Sequence, residues 1–261
     1  MIMELNGLSV GYGGRAVIKD INVAIDSGRV FCILGENGVG KSTLFKTMLG
    51  LLPPVAGSVS INGENISGWS SKKLASHCAY VAQSHTPPFP YTVREVIMMG
   101  RMSKMNLFGT PGERDEQIVE GLLEELDLKE YETKPYTEIS GGERQLVMIA
   151  KALAQEPQCI VLDEPTANLD YGNKVLVLGT LKKLSERGIT VIFTTHDPEQ
   201  ALLLGAETLI LFTDRPPVTG PANSVVTERS LKQAYSARIR VVEIVDEETY
   251  KPVRVCIPML D

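Results

Sequence analysis

Along this chain the apolar residues first alternate with polar ones, then bunch into unbroken runs, then fall into a helical rhythm, and finally bunch again. Residues 1–30 and 57–67 alternate and are broken by Gly-rich turns at residues 11–14 and at Asn62-Gly63, which predicts antiparallel strands. These strands are expected beside Val30–Leu34, a run of apolar residues. From about residue 91 to 154 the period becomes helical. Thr92-Val93-Arg94-Glu95 has capping-box spacing ahead of Val96, Ile97, Met98 and Met99. Ile118, Val119, Leu122, Leu123 and Leu126 mark one face of a further helix whose other side carries Glu120, Glu124 and Glu125. The middle of the chain therefore reads as a helical insertion. After Pro157 strands and helices alternate: Cys159–Leu162, a helix over about 173–187 stopped by Gly188, Thr190–Thr195, then 208–212. These strands are apolar on both faces, as in a parallel sheet covered on both sides. The rhythm is lost from Pro216, and residues 239–257 read as a small strand pair with no functional assignment. There is no internal repeat or low-complexity run.

Between Val30–Leu34 and a helix expected from Lys41 to a stop at Gly50 lies Gly35-Glu36-Asn37-Gly38-Val39-Gly40-Lys41-Ser42-Thr43, which fills every position of G-x-x-x-x-G-K-[ST]. Backbone N–H groups at such a helix start converge on phosphates, and Gly35, Gly38 and Gly40 leave room for the approach. The Lys41 ammonium is expected to reach the β- and γ-phosphates, and the Ser42 hydroxyl to hold Mg²⁺. A glycine turn that only caps a helix is the competing reading, and the strand-loop-helix context argues against it. The run Cys159–Leu162 ends in Asp163-Glu164, the arrangement that delivers a metal-holding Asp to a phosphate site from a neighbouring strand. Asp163 would hold Mg²⁺ through water. Glu164 would polarise the attacking water as general base. A strand ending in two carboxylates is common in α/β proteins; its pairing with the phosphate loop makes it specific.

Composition adds bounds. In 261 residues, 43% hydrophobic, there is ample material for a packed core. Twenty-six basic against 32 acidic residues give a net charge of −6 without a dense basic block, which argues against a nucleic-acid surface. Cys32, Cys78, Cys159 and Cys256 lack metal-ligand spacing and read as core thiols in a reducing compartment. The start MIMELNGLSV lacks a basic segment and a long apolar one, and no eighteen apolar residues run uninterrupted. The expectation is a cytoplasmic protein that spans no membrane by itself.

Ser140-Gly141-Gly142-Glu143 precedes a helix with the apolar face Leu146, Ile149, Ala150 and Leu153, and S-x-x-E is an ordinary capping box. In full, ISGGERQLVMIAKAL resembles the signature motif of the ATP-binding cassette family, with VLDEP following at the family's spacing. Both readings hold together, because a capped glycine-rich helix start is itself an anion site. The resemblance covers roughly residues 1–215. It implies an α/β P-loop NTPase with a RecA-like parallel-sheet core, an N-terminal antiparallel β subdomain and an inserted helical subdomain. The expected organisation is a single nucleotide-binding domain over residues 1–261, with core and β subdomain at 1–90 and 156–215, helical subdomain at 91–155 and a C-terminal extension at 216–261.

By the same resemblance two such domains close head-to-tail around two ATPs. Residues Ser140, Gly141, Gly142 and Glu143 of one subunit would face the ATP held by Lys41 of the other, with Ser140 and Gly142 on its γ-phosphate. One phosphate loop and one signature per chain then require a homodimer or a closely related partner domain. Tyr12 matches the aromatic residue that stacks on adenine, against the alternative of a plain strand tyrosine. Gln83 matches the glutamine that reaches Mg²⁺ and the attacking water. Asn168 and Asp170 match the loop that crosses the dimer interface, although an Asp starting a helix is the competing reading. His196 matches the switch histidine that contacts the γ-phosphate, with a surface histidine before Asp197-Pro198 as alternative. Ile139 and Glu143 depart from the more usual Leu and Gln, but neither supplies the phosphate contact. With Glu164 and His196 intact, a hydrolysing site is expected rather than a nucleotide-binding regulatory module.

The substrate has to be argued from the segment that follows Gln83. Residues 84–92 are proline-rich and carry Phe89 and Tyr91, suited to docking. AYVAQSHTPPFPYTVREVIMMGR, PTANLDYGN and FTTHDPEQAL look most like ATPases of importers for metal chelates: ferric siderophores, haem, cobalamin and related oxyanion or metal carriers. The resemblance implies transmembrane permease subunits docked at residues 83–99, an external substrate-binding protein, and membrane contact only through the permease. A soluble ATPase serving cofactor assembly is the alternative.

Overall fold

The unbroken apolar runs and the alternating ones end up in different sheets. The computed structural model describes residues 1–83, 90–104 and 110–260. In chain order it contains β1 (Met3–Tyr12), β2 (Arg15–Ile25), β3 (Val30–Leu34), α1 (Lys41–Met48), β4 (Ala56–Ile61), β5 (Glu64–Asn65), α2 (Ser71–Ala75) and β6 (Cys78–Val81). Next come α3 (Val93–Met98), α4 (Glu113–Glu125), α5 (Gly141–Leu153), β7 (Cys159–Leu162), α6 (Tyr171–Glu186) and β8 (Thr190–Thr195). The chain finishes with α7 (Pro198–Leu203), β9 (Glu207–Ile210), β10 (Val218–Pro221), α8 (Ala222–Val225), α9 (Glu228–Tyr235), β11 (Ile239–Val245) and β12 (Pro252–Pro258). Two compact units result: residues 1–68 with 192–261, and residues 69–191, the division falling inside β8.

In the first unit β1, β2, β4 and β5 form an antiparallel sheet in the order β2-β1-β4-β5. This differs from the expectation that these strands lie beside β3. All five residues of β3 are buried, with β9 parallel to it on one edge and β8 on the other, so no edge is left for an antiparallel partner. The alternating strands instead bury one face, through Leu5, Leu8, Ile21 and Ile25, none more than 2% exposed. Burying each such side chain contributes about 1.5–3 kcal/mol. β10 extends the β3 sheet by antiparallel pairing with β9. The expected strand pair near the C-terminus is present, as β11 and β12 pair from Ile239↔Pro258 to Val245↔Pro252.

The second unit pairs β6 and β7 in parallel, Cys78 opposite Cys159 and Val81 opposite Leu162. Described residues 91–154 form helices and turns, joined by one isolated bridge between Thr92 and Pro135. The expected capping box is made: Glu95 N–H donates to Thr92 Oγ1 at 3.2 Å, and Thr92 N–H to Glu95 Oε2 at 2.8 Å. α4 buries Val119, Leu122 and Leu123, as its periodicity requires. All four cysteines are free thiols; Cys32, Cys78 and Cys159 are core residues, whereas Cys256 is only half-buried on β12.

One polar cluster holds the helical segment together. Arg101 is 3% exposed and donates to Asp115 Oδ1 at 2.8 Å, Glu156 Oε2 at 2.9 Å and the Ala154 carbonyl at 2.5 Å. The Gly112 N–H and then Arg101 hold Asp115 below its ordinary value, and Arg101 does the same for Glu156. Because both folded-state values are depressed, this contribution is full above the ordinary values of 3.8 and 4.5 and is lost as pH falls through the folded ones. Arg101→Ala is expected to cost about 3–5 kcal/mol, since it strands carboxylates gathered around a buried cation. Arg94, more exposed and paired with Glu116, Glu120 and Glu132, should cost less when truncated, on the order of 1 kcal/mol per pair. Urea titrations of the two variants check the contrast; equal losses would mean that burial does not set the cost.

Candidate nucleotide site

The phosphate-loop motif forms the expected strand-loop-helix in the first unit. Gly38 and Gly40 have φ of 85° and 113°, a region that other residues adopt only with strain, and a Cβ at Gly40 would come within 2.9 Å of Ile18 Cδ1. α1 begins at Lys41 with no side-chain cap and no acidic residue in its first turn. Its first N–H groups are therefore not claimed by a side-chain cap, the condition for anion binding at a helix start. Lys41 is 6% exposed, and its ammonium donates to the Gly35 carbonyl at 2.7 Å, the Glu36 carbonyl at 3.1 Å and Asn37 Oδ1 at 3.5 Å. Three acceptors of its own loop thus hold the charge. Ser42 is exposed at the helix start, while Val39 and Thr43 are buried. Tyr12 ends β1 and is 53% exposed, so its ring face is available to a planar ligand. His196 is exposed directly after β8. The turn it starts is well defined: Asp197 N–H donates to Thr195 Oγ1 at 3.0 Å, and the Asp197 carboxylate caps α7 by accepting from Glu199 N–H at 3.0 Å and Gln200 Nε2 at 3.2 Å.

In the second unit β7 delivers Asp163, 8% exposed, with its N–H bonded to the Val81 carbonyl at 2.9 Å. Glu164 follows with φ of 46°, an uncommon conformation for a side chain of this size, stored where the two carboxylates diverge from the strand. Gln83, just beyond β6, donates from Nε2 to Glu164 Oε2 at 3.3 Å. The parallel β6–β7 pairing brings these two together although 81 residues separate them. The Ser140 capping box is also made: Glu143 N–H donates to Ser140 Oγ at 3.3 Å, and Ser140 N–H to Glu143 Oε2 at 2.6 Å. The Tyr131 hydroxyl adds a further hydrogen bond to Glu143, which raises the Tyr131 pKa well above its usual value. The Glu143 carboxylate is therefore committed within its own chain. A Cβ on Gly142 would sit 2.0 Å from Asn173 Oδ1, so this glycine is required for α5 and α6 to meet, whatever else it touches. Gly141 approaches Leu169 less closely. Asn168 is exposed with φ of 60°, and Asp170 caps α6 through Asn173 N–H at 2.8 Å and Nδ2 at 2.7 Å. Those bonds hold the Asp170 carboxyl below its usual range.

Among the described residues no group of three or more His, Cys, Asp or Glu is placed to hold a metal ion. Ser42 in the first unit, and Gln83 and Asp163 in the second, each carry an oxygen donor of the kind that Mg²⁺ accepts. Residues 84–89 of the docking segment expected at 84–92 lie outside the described residues; Tyr91, within that segment, and α3 are described. No helix among the described residues is long and apolar enough to cross a membrane. Sequence reasoning missed Asn173, Tyr131 and Thr195 as supports. The Asp170-x-x-Asn173 and Thr195-x-Asp197 spacings offered signals for the first and the last, whereas Tyr131 meets Glu143 only through packing.

The ABC transporter family profile matches residues 18–167. An uncharacterised ABC transporter ATP-binding protein of Haemophilus influenzae is 39% identical over 211 residues, 81% of this chain and 80% of that protein. The iron(3+)-hydroxamate import ATP-binding protein FhuC of Bacillus subtilis is 36% identical over 247 residues, 94% of this chain and 91% of its own length. A solved chain from an inward-facing ABC transporter described as of metal-chelate type superposes with a TM-score of 0.87 at 29% identity, over 99% of this chain and 98% of that one. Motifs, fold and relatives agree: this chain is an ATP-binding, ATP-hydrolysing subunit of the ABC transporter family.

Proposed function

We propose that the chain energises uptake of a metal chelate through a separate transmembrane permease, working with an external substrate-binding protein. The observation that carries this reading is the match to the metal-chelate type transporter chain, which extends over the C-terminal segment beyond residue 215 as well as the core. The similarity to FhuC, named for iron(3+)-hydroxamate import, supports the same class of cargo. The chain acts as one nucleotide-binding domain, with a core and β subdomain at 1–90 and 156–215, a helical subdomain at 91–155 and an extension at 216–261. It sits on the cytoplasmic side of the membrane and touches it only through the permease.

In this reading residues 35–43 wrap the ATP phosphates, Lys41 takes the β- and γ-phosphates and Tyr12 stacks on adenine. Ser42, Gln83 and, through water, Asp163 would hold Mg²⁺, which would supply neutralisation of phosphate charge when bound. Glu164 accepts the proton of the attacking water, and the Gln83 amide that already bonds its carboxylate orients the pair. His196 contacts the γ-phosphate. Two copies close head-to-tail, so that Ser140 and Gly142 of each complete the site of the other, with Asn168 and Asp170 at the interface. Closure switches the permease between its two states.

Purification of the native protein from gently solubilised membranes tests the reading. A multi-helix membrane protein is expected at near-equal stoichiometry, and reconstituted with it the chain should drive ATP-dependent uptake of a ferric hydroxamate, haem or cobalamin. Recovery with soluble proteins alone would overturn it in favour of an assembly ATPase. Uptake of a bare divalent ion only would reject the chelate.

A further inference from the structure

The segment after residue 215 packs against the turn that follows His196. The Glu199 carboxylate, in the first turn of α7, accepts the Cys256 backbone N–H at 2.9 Å, so β12 lies against α7. α9 packs on β11 and ends at Tyr235, whose hydroxyl is buried and, among the described residues, has no hydrogen-bond partner. Burial first, then the Cys32 thiol, the Asp197 and Glu36 carboxylates and the Cys256 thiol, hold that hydroxyl protonated, well above the usual tyrosine value. A protonated phenol is a donor, and a buried donor without an acceptor carries an uncompensated desolvation cost. The Asp197 carboxylate has acceptor capacity beyond its bonds to Glu199 N–H and Gln200 Nε2.

We propose that Tyr235 is a positioning residue for the His196 turn: when that turn closes on the γ-phosphate, the Tyr235 hydroxyl donates to the Asp197 carboxylate and holds the turn in its closed form. The C-terminal segment then acts on hydrolysis without touching nucleotide. This rests on the assignment of His196 to the γ-phosphate made above.

The test is Tyr235→Phe in the full chain, with thermal midpoint, ATP KM and kcat measured. Removing an unpartnered buried hydroxyl should leave the nucleotide-free midpoint equal or higher. KM should hold while kcat falls between about 10-fold and 150-fold, the scale of one hydrogen bond to a charged group. Adding Tyr235→Phe to Asp197→Asn should cause little further loss of kcat. An unchanged kcat would overturn the proposal, and so would a loss fully additive with Asp197→Asn. A lowered midpoint with kcat falling only in proportion to folded protein would also overturn it, because the hydroxyl would then have a resting-state partner such as water. His196→Ala in the same assays separates the two readings. If it keeps full turnover the switch assignment fails; if it abolishes turnover while Tyr235→Phe leaves kcat unchanged, only this inference fails.

Discussion

Glu164→Gln is expected to slow ATP hydrolysis by about 10²–10⁴ while ATP still binds and an ATP-bound dimer accumulates. The substitution is clean for structural reasons. Gln has the length of Glu and tolerates φ of 46° no worse. Its side-chain carbonyl can still accept the 3.3 Å hydrogen bond from Gln83 Nε2, so the β6–β7 geometry survives. What disappears is the negative charge needed to take a proton from water. The groups proposed to bind nucleotide are untouched, so closure proceeds and stalls before cleavage. Single-turnover hydrolysis together with size-exclusion chromatography in ATP reads both halves. Hydrolysis at the parent rate would transfer the general-base role to another residue. Loss of ATP binding would mean that Glu164 supports the fold of the site rather than its chemistry.

What could be read from the sequence was local. β3 and β7 are short apolar runs, one followed by the glycine-rich motif and the other by Asp163-Glu164, and the loop between β3 and α1 is a contiguous motif; all three formed where expected. The capping boxes at Thr92 and Ser140 depend on residues three apart, and both are made. α6 starts at Tyr171 rather than 173 because Asp170, not a later residue, caps it. The edges of β3 were not legible: its partners β8 and β9 come from residues far along the chain, and alternation in β1, β2 and β4 says that one face is buried without saying against what. The same limit hid the Gln83–Glu164 bond, the Arg101 cluster and the clash that makes Gly142 obligatory, since each joins residues at least 14 apart. It also hid the contact between β12 and α7, which gives the C-terminal segment its place beside the His196 turn.

Lys41→Met should weaken ATP binding by between about 30-fold and several thousand-fold, the 2–5 kcal/mol that follows truncation of one partner of a buried, hydrogen-bonded charge pair. Met keeps the unbranched stem that Lys41 buries at the start of α1 and removes only the ammonium. Its acceptors include the Gly35 and Glu36 carbonyls and Asn37 Oδ1, on a loop where Glu36 is partly exposed and Asn37 fully so. Water can serve the Glu36 carbonyl and Asn37 Oδ1, whereas the Gly35 carbonyl is buried, so the nucleotide-free thermal midpoint should fall modestly without collapsing. Binding suffers because the β- and γ-phosphates lose the one compact cation of the loop, while the backbone N–H groups at the start of α1 remain. Residual weak affinity is therefore expected rather than none, with weaker salt dependence than the parent. Isothermal titration with ATP at two ionic strengths, alongside a thermal melt, distinguishes the outcomes. An unchanged dissociation constant at an unchanged midpoint would remove Lys41 from the phosphate site. A collapsed midpoint would show that the ammonium holds its own loop more than it holds nucleotide.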